Sequence, residues 1–200
     1  MDKIGNIGGE KMSSTQHLTP DEIVQSFKNE FSDKIIADKV ERHPVGPSKK
    51  ELVQIWLTID RSVYKDAVKH LISIDNDPHF AVSSGYDIED RIEIINHFSI
   101  YYGEHEKEIT ISFTVPLPKS DPTMDSICDL IPGALISEQE KQEMLGIKVK
   151  NIPKDIRVFI SEDFPENMFP WRKDETNVDT MARNLHENDN LPSSKKEGTK

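Results

Sequence analysis

Arg91-Ile92-Glu93-Ile94-Ile95-Asn96-His97-Phe98-Ser99-Ile100, followed by Ile109-Thr110-Ile111-Ser112-Phe113-Thr114-Val115, decides the fold. Ile92, Ile94, Phe98 and Ile100 sit at two-residue spacing, and Ile109, Ile111, Phe113 and Val115 alternate with Thr110, Ser112 and Thr114. Successive side chains of a strand point to opposite faces, so each run builds one apolar and one polar face. The intervening loop, Gly103 to Lys107, is short and contains a glycine, which makes the pair an antiparallel hairpin. His105 and Glu106 in that loop lack a second histidine and read as solvated polar residues.

Upstream, Val53, Ile55, Leu57 and Ile59 alternate with Gln54, Trp56 and Thr58 as another half-buried strand. From Ser62 the spacing turns helical, with Val63, Ala67, Leu71 and Ile74 on one face. Phe80 to Ser84 begins a second β region, Ile35 to Val40 reads as a short strand, and His43-Pro44-Val45-Gly46-Pro47 as a turn or loop. Thr19, Pro20 and Glu22 form a capping box with proline at the first helical position, and Ile23, Val24, Phe27 and Phe31 give an amphipathic helix from Pro20 to Ser32. Helices beside alternating strands predict an α+β fold, an antiparallel or mixed sheet covered by helices on one face. Downstream, Ser126 caps a short helical turn ended by Pro132-Gly133, and Ser137 with Glu140 forms a capping box for a helix closed by Gly146.

Composition shifts mark the ends. Residues 1–18, with Gly5, Gly8, Gly9, Ser13 and Ser14, predict a flexible N-terminus, because little apolar surface offsets the entropy of ordering. Those glycines have no strand before and no helix after them, so they are not a phosphate loop. The α+β domain spans 19–150, an extended proline-rich segment 151–176, and a polar flexible tail 177–200.

The formal charge of -11 argues against nucleic acid and favours basic protein partners. No apolar run approaches the roughly 20 residues that cross a bilayer, and Met1 to Ser14 has no apolar signal core, so a cytoplasmic chain is expected. Cys128 is the only cysteine, which excludes an internal disulfide and a four-thiolate cluster. The seven histidines form no paired metal motif, so no metal or other cofactor is expected in this chain.

Glu162 to Glu175 packs aromatics, prolines and charges into a stretch with neither helical nor strand periodicity. Phe169, Pro170, Trp171, Arg172, Lys173 and Asp174 read as a docking strip, with the rings as apolar anchors and Arg172 as a planar donor fork. The other reading is intramolecular: Trp171 covers its own sheet and Arg172 pairs with Glu138 or Glu140. Glu138, Glu140 and Glu143 read as capping and salt-bridging residues rather than an acid–base set, because acid catalysis needs a buried cleft. Ser83-Ser84-Gly85 lacks the leading glycine of a nucleophile elbow.

Five blocks in order resemble the C-subunit family of respiratory NADH dehydrogenase (complex I), which also occurs in membrane-bound energy-converting nickel–iron hydrogenases. Arg91 to Phe98 is similar to the family's R-x-E-x-x-Y-H-h strand, and Asp125-Ser126-Ile127-Cys128-Asp129-Leu130-Ile131-Pro132-Gly133-Ala134 to its P-S-I-T-D-I-F-P-G-A. Glu138 to Ile147 stands for E-R-E-x-x-D-h-h-G-I, Arg157 to Phe164 for R-h-h-h-P-E-D-h, and Phe169 to Asp174 for Y-P-L-R-K-D. The chain departs from the pattern at Gln139 and Ile156, where the family has arginines, and at Asn151-Ile152-Pro153, where it has G-H-P.

The resemblance implies a cofactor-free scaffold subunit in the peripheral arm of a hydrogenase or complex I-like oxidoreductase, bracing the large subunit during electron transfer coupled to ion translocation. Iron–sulfur clusters, and nickel–iron in the hydrogenase branch, would lie in the partners, a hydrogenase-like large subunit and an iron–sulfur small subunit. Membrane contact would be indirect, through the complex. Glu138, Glu140, Arg157 and Phe169 to Asp174 are the partner-binding residues that the resemblance and the strip imply. The wording of the last two blocks looks closer to the hydrogenase members. The alternatives are a quinone oxidoreductase subunit of the dehydrogenase type and a free-standing acidic adaptor or assembly factor with the same fold.

Overall fold

The computed structural model describes residues 17–47, 49–104, 107–174 and 176. The readings of the first sixteen residues, of His105-Glu106 and of the tail from 177 lie outside them. β1 (Ile35–Val45), β2 (Lys50–Ile59), β3 (His79–Ile88), β4 (Arg91–Ile100) and β5 (Ile109–Pro118) form one sheet in the order β1-β2-β5-β4-β3. The β4–β5 hairpin is antiparallel, with Ile94 opposite Val115 and Phe98 opposite Ile111. β2 runs parallel to β5, so the sheet is mixed. A parallel pair needs a crossover, which α2 (Tyr64–Ile74) and the β3–β4 hairpin supply.

Alternation decides which face is covered. Ile55, Leu57, Ile59, Ile92, Ile94, Phe98, Ile111, Phe113 and Val115 are buried on one face, beneath Ile23, Val24 and Phe27 of α1 (Pro20–Phe31) and Ala67, Val68 and Leu71 of α2. Phe113 sits at the centre, with ring centroids 5.5 Å from both Phe27 and Phe98. The capping box at Thr19 is present in full. Trp56, Ser112 and His97 lie in register across the opposite face, with His97 Nδ1 2.8 Å from Ser112 Oγ and the Trp56 ring edge-on to His97.

Three expectations need correction. β1 continues through His43, Pro44 and Val45, and the turn begins at Gly46. Pro44 is tolerated because β1 is an edge strand, where a missing ladder donor costs little. No helical turn follows Ser126; β6 (Thr123–Asp125) leads instead to a 3-10 turn at Pro132–Ala134. α3 (Leu135–Leu145) starts before Ser137, so Ser137 and Glu140 are not its capping box, whereas Gly146 does close it in the left-handed conformation. β7 (Lys148–Lys150) then pairs in parallel with β6.

A pH dependence follows from the α1–α2 contact. The His70 ring packs edge-on to Phe27 and Phe31, and burial holds its pKa below the usual value against an opposing pull from Glu30. Burial lowers His97 in the same direction. A lowered imidazole pKa means that the unfolded chain takes up protons first as pH falls. The stability is complete above the ordinary histidine pKa of about 6.5 and is lost as pH drops through the lower folded value. The melting temperature is expected to fall between pH 7.5 and 5.5, with a shallower fall in His70→Asn; an equal fall in both would assign the effect elsewhere.

Candidate protein-docking site

α3 has little apolar periodicity because it buries polar side chains. Glu138 is 8% exposed, and its carboxylate accepts from Ser126 Oγ at 2.6 Å, Ile127 N at 2.8 Å and Cys128 Sγ at 3.1 Å. Burial pushes the Cys128 thiol up to about 11, and Glu138 adds to the rise. Lys141 is buried one turn on, its ammonium held by Glu140 and lying 5.2 Å from the Trp171 ring centroid. Gly85 of β3 gives α3 its close approach: a Cβ there would lie 2.5 Å from the end of Leu145.

The chain beyond β7 folds back along α3. Gln139 Nε2 donates to the Lys154 carbonyl, Gln142 Nε2 to Asp155, and the Glu143 carboxylate accepts the amides of Val158, Phe159 and Ile160 at 2.6, 2.9 and 2.7 Å. Arg157 Nη1 donates to the carbonyls of Ser161 and Phe164 at 3.1 and 2.8 Å. At the end of α3, the Trp171 amide donates to the Met144 carbonyl, one of the last carbonyls that a helix leaves open, and the Phe169 ring lies against Gly146. Lys173 N donates to Asp87 Oδ2 at 2.8 Å, and Lys119 bridges Asp87 at 2.6 Å and Asp174 at 3.4 Å.

The expected partner residues therefore divide. Trp171 is 41% exposed, Lys173 is exposed, and Phe169, Pro170 and Asp174 are half-buried along the strap. Arg172 is 7% exposed and turned inward, its guanidinium 5.8 Å from the Phe169 ring centroid and 3.7 Å from Asp174 rather than beside Glu138 or Glu140. Glu138 faces the interior, Glu140 holds Lys141, and Arg157 is spent on its own segment's carbonyls. Ile156, Val158 and Phe159 are 60%, 48% and 47% exposed. Periodicity did not single them out, because their outward aim is set by hydrogen bonds from Gln139, Gln142 and Glu143 to backbone. With Trp171, they give this side of the molecule a concentration of exposed large apolar side chains. Among the described residues, no group of His, Cys, Asp and Glu side chains is arranged to hold a metal ion, and no helix is long and apolar enough to cross a membrane.

Comparison with known proteins was made against this geometry. The model of the respiratory-chain NADH dehydrogenase 30 kDa subunit family matches residues 57–180. The membrane-bound hydrogenase subunit beta of Pyrococcus furiosus is 30% identical over 157 residues, 75% of this chain and 90% of that protein. Hydrogenase-4 component G of Escherichia coli is 25% identical over 124 residues, and formate hydrogenlyase subunit 5 of the same organism is 26% identical over 88 residues. The matches cover only 22% and 16% of those two longer proteins. Among solved structures, a chain of the membrane-bound sulfane sulfur reductase, an archaeal respiratory membrane complex, superposes with a TM-score of 0.64 at 17% identity, covering 90% of this chain and 98% of that one. The trypsin-resistant fragment of Nqo5 superposes with a TM-score of 0.51 at 15% identity, covering 67% of this chain and 97% of the fragment. These two share its fold.

Proposed function

Because the chain belongs to the family of the 30 kDa subunit of respiratory-chain NADH dehydrogenase, we propose that it is the non-catalytic peripheral-arm subunit of a membrane-bound energy-converting nickel–iron hydrogenase, bracing the large subunit through its C-terminal strap. The observation that carries this is the match to membrane-bound hydrogenase subunit beta, which takes in 90% of that protein at 30% identity. The two Escherichia coli relatives support it further. A module that is one part of a long polypeptide in some relatives and most of a separate polypeptide in another is one whose neighbour must be held without a covalent link. The chain supplies rigid positioning: a sheet packed under three helices, and a strap fixed at Met144, Gly146 and Asp87 that presents the Trp171 ring. Electron transfer belongs, in this reading, to iron–sulfur and nickel–iron centres of partner chains on the cytoplasmic side. What this chain contributes is geometry, since small misplacements of reacting groups are costly.

Native affinity purification from its own cell, with nickel and iron analysis, tests the assignment. Stoichiometric nickel and iron with a hydrogenase-like large subunit are expected. Iron without nickel, together with quinone-reducing activity, would select the dehydrogenase branch, and recovery of the chain alone and metal-free would overturn both. Trp171→Ala is expected to weaken retention about 30-fold, the loss of an aromatic anchor worth about 2 kcal/mol, with an unchanged circular dichroism spectrum. An unfolded variant would make Trp171 a structural residue of its own chain instead.

A further inference from the structure

Beside the strap, a groove of about 240 Å³ opens between the end of α3 and residues 155–169. Its floor holds Ile160, Phe164, Met168 and Phe169, and Ile156 stands at its mouth. The stretch that forms one wall is organised unusually. An irregular segment ordinarily docks by turning its apolar side chains inward and leaving its backbone to water. Here Gln139, Gln142 and Glu143 grip the segment by polar and backbone groups from Lys154 to Ile160, and Ile156, Val158 and Phe159 are left outside. Such an arrangement loses the hydrophobic gain of burying those side chains, and an incoming surface restores it. It also fixes the backbone before the partner arrives, which lowers the ordering cost of association.

The charges around the groove select the visitor. Asp155 and Glu166 line it and are exposed, and Glu162 and Asp163 lie exposed on the same stretch. Against them stand Lys154 and Arg157, and the Arg157 guanidinium is committed to the Ser161 and Phe164 carbonyls. The chain as a whole carries a formal charge of -11, so a second copy would bring acid against acid, and an anionic lipid surface would be repelled.

We propose that this groove receives a segment of a partner polypeptide bearing a large apolar side chain flanked by lysine or arginine: the apolar group enters against Phe164, Met168 and Phe169, and the cations meet Asp155 and Glu166. The inference rests on the reading of this chain as a subunit docked by its C-terminal side, and adds the chemistry of the surface that meets it. The groove and the Trp171 ring then form two halves of one footprint, separated by the Phe169 side chain.

The test uses the complex purified from its own cell. Zero-length carbodiimide coupling followed by peptide mass spectrometry is expected to join Asp155 or Glu166 to lysines of another polypeptide. Asp155→Lys combined with Glu166→Lys is expected to lower retention of the subunit at least tenfold at 0.1 M NaCl, with the deficit shrinking at 0.5 M as screening weakens the attraction in the unaltered protein. Circular dichroism checks the fold of this surface variant. Unchanged retention of the doubly substituted chain at both salt concentrations, while Trp171→Ala is released, overturns the groove proposal and leaves the subunit assignment standing. Retention of both variants overturns the docking reading itself. Concentration-dependent dimerisation of the isolated chain, abolished by the same two substitutions, replaces the partner segment with a second copy and also overturns the proposal.

Discussion

Glu138→Ala lowers the unfolding free energy by about 3 kcal/mol, because buried donors lose their acceptor together. The Ser126 hydroxyl and the Ile127 amide both end on this carboxylate, and neither has water to turn to. Each orphaned buried donor costs about 1–3 kcal/mol, and the removed side chain enlarges a small void already lined by Tyr64, Asn96 and Lys141. Relief of the desolvated carboxylate offsets part of this, which keeps the sum from reaching the top of that range. Glu138→Gln keeps one acceptor and loses roughly half as much, on the order of 1–2 kcal/mol. Urea titration of both variants measures the difference. Cys128 gives an independent signal: its thiol is held high by burial and further by Glu138, so the alanine variant should alkylate faster in the native state than the parent does. Equal stability of parent and Glu138→Ala would mean that this carboxylate is not the acceptor around which the 126–128 turn is built. Since Glu138 faces inward, its loss acts on the docking side only through the support that α3 gives the strap.

The contrast between Glu138 and Phe113 shows what a sequence discloses. Period-two alternation marks Phe113 as a core residue, and the hairpin of β4 and β5 follows from local spacing and a short loop. The parallel contact of Val53 through Thr58 with Ile109 through Thr114 bridges some fifty residues and leaves no local pattern, so the mixed order β1-β2-β5-β4-β3 emerges only in three dimensions. α3 escapes for another reason. Its inward residues are Glu138, Gln139 and Lys141, which satisfy hydrogen bonds rather than repel water, so hydropathy cannot distinguish its faces. The same holds at the docking side. Rings in irregular backbone announce Trp171 and Phe169, but the aim of Val158 and Phe159 depends on amides captured by Glu143, and nothing about those two residues alone foretells it. Arg172 is the converse: its type suggests a surface hot spot, while its position beside Asp174 and the Phe169 ring turns it into a strut for the strap.

That division between core and strap makes Gly146→Val the sharpest probe of presentation. Gly146 closes α3 at φ 66°, a conformation in which a β-branched residue is strained by about 1–2 kcal/mol. A Cβ there would lie 2.5 Å from the Phe169 ring, too close for any real contact, and the ring is backed by the Arg172 guanidinium, so it must leave rather than lean aside. Ejecting it forfeits much of its burial, about 1–2 kcal/mol for a half-buried phenyl group, and pulls the Trp171 amide away from the Met144 carbonyl. The combined cost of about 3 kcal/mol falls on the strap's attachment, so the detached form gains roughly a hundredfold over the attached one. Hydrogen exchange of the Trp171 and Lys173 amides should accelerate by that factor, while β4 and β5 amides far from the closure keep most of their protection. Retention of the subunit in its complex should fall with it, because a detached strap must be ordered again at every encounter. Gly146→Ala, with the same forbidden contact but no branching, should lie between the two. If the Trp171 amide exchanges at the parent rate in Gly146→Val, the strap is held by the Asp87, Lys119 and Asp174 cluster alone, and Phe169 contributes nothing to how the docking side is presented.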